Sequence, residues 1–96
     1  MRYSAQISGV PAKKVLSLVA FNGACRVEAQ ADQFFGGSES RPYVGDVIES
    51  PTWRRLYHEA QAQQLATRDV HHEFFEGARI VRVVDGIRVI ELLLGS

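Results

Sequence analysis

Two dipeptides constrain how this chain can fold: Asn22-Gly23 and Asp85-Gly86, each set between apolar, β-prone residues. Both supply the positive φ angles of a type I′ turn, whose twist matches that of two paired strands. They predict an antiparallel hairpin near each end, with other structure between. Such a signal specifies architecture and carries no chemistry.

Around these turns the pattern alternates. Arg2 to Ile7 puts Tyr3, Ala5 and Ile7 on one side and Arg2, Ser4 and Gln6 on the other, the signature of a short strand. Ser8-Gly9-Val10-Pro11 reads as a turn. Residues 11–21 admit two readings. As a helix, Ala12, Val15, Leu16 and Val19 share a stripe. As a strand, the register imposed by Asn22-Gly23 sets Ala20 opposite Cys25, Leu18 opposite Val27 and Leu16 opposite Ala29, an apolar set on one face. Lys13 and Lys14 at a helix N-terminus would also oppose the helix dipole. The strand reading is therefore preferred. Tyr43 to Ile48 adds a short extended segment, and a loop rich in Gly and Ser precedes it.

Ser50 reads as an N-cap with Pro51 at the first helical position, so a helix is expected from Pro51 to about Ala66. Its stripe is Trp53, Leu56, Tyr57 and Ala60, extended by Gln64. From Asp69 the pattern turns to β. Three strands are expected, Asp69 to Phe75, Arg79 to Val84 and Ile87 to Leu94, joined by a Glu76-Gly77-Ala78 turn and by Asp85-Gly86. The order is βββ-α-βββ, with βαβ-αβββ as the alternative. The fold class is α+β: an antiparallel, strongly curved sheet of about five to six strands with one principal amphipathic helix.

Composition bounds the rest. The 96 residues suit a single domain spanning residues 1–96, and 46% hydrophobic content can supply a modest core. Eleven basic residues balance eleven acidic ones, which argues against a nucleic-acid partner. A lone cysteine cannot form an internal disulfide, and no run approaches the roughly 20 apolar residues of a membrane span. A soluble, cytoplasmic protein without a membrane partner is expected.

Few residues suggest chemistry. In His71-His72-Glu73, adjacent strand residues face opposite ways, so His71 and His72 cannot share a site. No third ligand stands at diagnostic spacing, and neither a metal nor another cofactor is expected. The Asp85-Gly86 turn places Arg82 opposite Val89 with Glu91 diagonal to it. A three-residue turn at Glu76-Gly77-Ala78 then brings His72 opposite Arg82. His72, Arg82 and Glu91 form a candidate patch for an anion or carboxylate, with an Arg82–Glu91 ion pair as its structural reading. Gln64, on the helix stripe, is a fourth candidate that can point a polar group between helix and sheet. Cys25 reads as a small core hydrophobe. No catalytic residue is singled out.

The functional expectation is a small, non-catalytic binding or assembly domain that self-associates as a homodimer. In the last hairpin, Val81, Val83, Ile90, Leu92 and Leu94 share one face and Ile80, Val84, Ile87 and Val89 the other, more than one helix can cover. The alternative is a small-molecule-binding protein or small enzyme with a pocket between helix and sheet. The expected partner is a second copy of the chain, with a small molecule or another protein as a further ligand.

Overall fold

The computed structural model describes residues 2–3, 12–31, 39–69 and 74–95. In chain order the elements are β1 (Arg2–Tyr3), α1 (Ala12–Ser17), β2 (Ala24–Ala29), β3 (Tyr43–Val44), β4 (Ile48–Glu49), α2 (Trp53–Thr67), β5 (Phe74–Val84) and β6 (Ile87–Gly95). The class is α+β, as expected, with one main helix. The sheet runs β1-β5-β6-β2-β3, with β4 also pairing β2, and its ends do not meet. It is mixed and not purely antiparallel: β1 lies parallel to β5, and β2 parallel to β6.

Asp85-Gly86 forms the expected hairpin turn, both residues having positive φ (52° and 78°). It sets Val84 opposite Ile87, Val83 opposite Arg88 and Arg82 opposite Val89. Beyond that point Val81 is an extra residue, so Ile80 faces Ile90 and Arg79 faces Glu91. A β-bulge of this kind sends everything behind it to the opposite face from a regular ladder. The exchange puts Ile80 with Ile90 where regular pairing puts Val81. The expected turn at Glu76-Gly77-Ala78 does not form. Gly77 (φ 155°) instead follows a second irregularity, and β5 continues through it as one long strand. A glycine there reads as a turn in sequence, but an unbroken partner strand in β6 keeps the chain extended.

Asn22-Gly23 makes no hairpin. Residues 12–17 are helical, so the preferred strand reading of 11–21 is overturned. Val15 of α1 is buried (4% exposed), and burying a valine is worth about 1.5–3 kcal/mol. That is enough to offset the roughly 0.3–1 kcal/mol cost of each of the two lysines at the wrong helix end. The segment after α1 is stitched to the entry of α2 and not to β2. Trp53 N–H donates to Leu18 O (3.0 Å), Ala20 N–H to Pro51 O (2.8 Å) and Ser50 N–H to Gly23 O (2.8 Å). Gly23 N–H donates in turn to the Ser50 hydroxyl (2.9 Å). Gly23 (φ 93°) uses its conformational freedom to swing the chain from this seam into β2.

Ser50 is thus engaged with Gly23, and Thr52 caps α2: its side-chain oxygen accepts from Arg55 N–H (3.2 Å). Pro51 lies before the cap, and the helix starts two residues later than the sequence suggests. The core is on the α2 side of the sheet. Leu56 and Ala60 pack on Cys25, Val27, Phe75, Ile90 and Leu92, all buried. Trp53 bridges Phe21 and Phe75, with ring centroids 6.1 and 6.2 Å apart, so one aromatic joins α2, β5 and the chain after α1.

On the outer edge of β2, β4 pairs with Ala24 and Cys25, and β3 with Glu28 and Ala29. The register slips by one residue between them. Gly45, in the slip, donates its N–H to Val27 O (2.9 Å).

Candidate functional site

The sheet face away from α2 carries alternating charges that the ladder brings together. Arg26, Val89 and Arg82 stand side by side across β2, β6 and β5. Arg82 reaches over β6 to Glu28 (2.6 Å), and Arg79 pairs with Glu91 directly opposite (3.1 Å). Arg26 Nε–H donates to Gly45 O (3.1 Å). Val89, between Arg26 and Arg82, is only 3% exposed. The expected Arg82–Glu91 pair is therefore not formed, because the Val81 bulge brings Arg79 opposite Glu91 and frees Arg82 for Glu28 on β2.

Arg82 and Glu91 nevertheless line one cavity of about 550 Å³. Its origin is topological. The parallel pairing of β2 and β6 ends at Val27 and Ile90, and beyond it β2 runs on toward Gln30 and β6 toward Leu92. Glu28, Arg82 and Glu91 flank the cavity on the charged face, and Val81, Val89 and Leu92 give it apolar walls. Tyr43 and Gln63 line it from the helix side. A second cavity of about 520 Å³ shares Gln63, Glu91 and Leu92.

Of the four sequence candidates, Arg82 and Glu91 are thus brought together. His72 lies outside the described residues, as do His71 and Glu73. Gln64 is half-buried on α2 and does not line the cavity; Gln63 does. The buried face of α2 is Leu56, Glu59, Ala60, Gln63 and Thr67. The stripe read from sequence shares Leu56 and Ala60 with it but leans toward Tyr57 and Gln64. Residues 56, 59, 60, 63 and 67 have helical spacing too. That alternative was legible, but it requires two long polar side chains inside.

Glu59 is the less expected of these. It is 4% exposed, and its Oε2 accepts from the Tyr43 hydroxyl (2.8 Å) and pairs with Arg55 Nη1 (3.2 Å). Its Oε1 is buried without a hydrogen-bond partner. A side chain on Gly45 would meet that oxygen, so the carboxylate would have to shift to admit one. The Tyr43 hydroxyl is pushed up from 10.0 to about 12, first by burial, then by its hydrogen bond to Glu59 and by that carboxylate's charge. It holds its proton as a fixed donor. The cluster ties α2 to β3.

Cys25 is 1% exposed, and burial raises its thiol pKa against the opposing pull of Arg88. A thiol in that state is a poor nucleophile. Among the described residues no group of three or more His, Cys, Asp or Glu is arranged to hold a metal. None of the described helices is long and apolar enough to cross a membrane.

Comparison with family models, with curated proteins and with solved structures finds no match to this chain.

Proposed function

We propose that this chain is a non-catalytic assembly domain that pairs with a second copy of itself through the outer edge of β5. One observation carries the reading. Ile80, Val81, Val83 and Val84 are 42–61% exposed, they fall on both faces of one strand, and β1 pairs only with Phe74 and Phe75 of that strand. Among the described residues, none pairs with the outer edge of β5 beyond Phe75.

An unpaired edge flanked by apolar side chains is a template for another strand. Two copies of one edge are self-complementary when they meet antiparallel about a two-fold axis. The rest of the sheet favours this edge over the broad face, because Val89 at its centre is already buried and charged residues flank it. The sealed thiol of Cys25 agrees with a non-catalytic role.

Sedimentation velocity across micromolar concentrations tests the proposal. A dimer is expected, converted to monomer by Val83→Lys without loss of the fold by circular dichroism. A wild-type protein that stays monomeric at high micromolar concentration overturns it.

A further inference from the structure

The cavity between the diverging ends of β2 and β6 has a property the ion pairs do not explain. Gln63 lines it and is 8% exposed, yet its amide oxygen is buried and accepts no hydrogen bond. Leaving a buried polar atom unpaired is costly, and the cost is relieved only when a donor reaches it. The charged groups and the hydroxyl around it are engaged with one another: Arg82 holds Glu28, Arg79 holds Glu91, and the Tyr43 hydroxyl donates to Glu59. Val81, Val89 and Leu92 supply apolar wall. The volume, about 550 Å³, falls in the range of small-molecule sites.

The geometry points to a small-molecule site in this cavity, taking a compact, uncharged, largely apolar ligand with an N–H donor directed at the Gln63 amide oxygen. A neutral donor fits better than an ion because the charges at the mouth are already paired in opposite signs. The oxygen has no exposed surface of its own, so the amide turns about its soft terminal torsion to meet the ligand. The assignment differs from a generic apolar cleft in making one hydrogen bond decide the affinity. It does not depend on self-association.

Indole is the minimal probe, and benzofuran is its near-isostere with an oxygen in place of N–H. Isotope-labelled full chain is titrated with each and followed by amide NMR. Indole is expected to give saturable shifts at Ala29, Gln30, Val89, Glu91 and Leu92 and at the Gln63 side-chain amide. Benzofuran is expected to bind about three- to tenfold more weakly, the worth of one net hydrogen bond. Gln63→Leu should erase that difference while retaining apolar binding. Gln63→Met, which keeps the length of the side chain, takes its place if the leucine variant does not fold. Absence of saturable shifts with indole overturns the site. So does equal binding of the two probes, or a preference for indole that survives the loss of the amide.

Discussion

A carboxylate in the interior is tolerated only with partners, and Glu59 has them on one oxygen alone. Tyr43 and Arg55 both address Oε2. Hydrogen bonds to a charged group are worth about 1.5–3 kcal/mol, so Tyr43→Phe should lower stability by about that much, read from the urea midpoint at constant slope. Burial of Tyr43, together with the same contact, sets a pH dependence. Tyr43 titrates higher folded (about 12) than its ordinary value of 10.0. Its contribution is complete below pH 10.0, and it is lost as pH rises from there through about 12. Wild type and Tyr43→Phe should therefore converge in stability across that alkaline window. The exposed pair is different in kind. Arg82 and Glu28 are 55% and 26% exposed, and Arg82→Leu should cost about 1 kcal/mol or less.

Among the elements, α2 and the β5–β6 hairpin set the geometry of everything else. The Trp53 ring lies against both Phe21 and Phe75. Trp53→Ala should cost about 3–5 kcal/mol, a large part of the stability of a small domain, and lower the melting temperature accordingly. The bulge makes an opposite prediction. Because Val81 is the residue without a cross-strand partner, deleting it leaves Ile80 opposite Ile90 and Arg82 opposite Val89. The deletion variant should keep the fold and the Ile80–Ile90 cross-strand contacts in NMR spectra. Loss of those contacts would show that the bulge itself, through its added twist, shapes the sheet.

Among the described residues, the sheet has one face covered by α2, one face carrying ion pairs, and an outer β5 edge that nothing pairs beyond Phe75. The proposed dimer uses the third of these surfaces. The edge prediction is therefore sharper than a general tendency to aggregate. A charge at Val83 should abolish association, whereas Arg79→Lys, on the face engaged with Glu91, should leave it unchanged in the same sedimentation experiment.

Asp85-Gly86 fixed its own turn, since both positive φ values are local requirements that those residues meet cheaply. The same holds for the α+β class, for the existence of α2 and for the burial of Cys25, which follow from periodicity. What lay beyond local chemistry went otherwise. Asn22-Gly23 has the same turn chemistry as Asp85-Gly86, yet residues 18–23 found better partners at Pro51, Ser50 and Trp53, far along the chain. The bulge at Val81 decided that Arg79 and not Arg82 meets Glu91. Parallel pairing of β2 with β6 decided that a cavity opens where they part, and the rotation of α2 decided that Gln63 and not Gln64 faces it. Turns and periods are properties of neighbours in sequence. Register, pairing partner and helix rotation are set by competition among distant surfaces for burial, and only the assembled core resolves that competition.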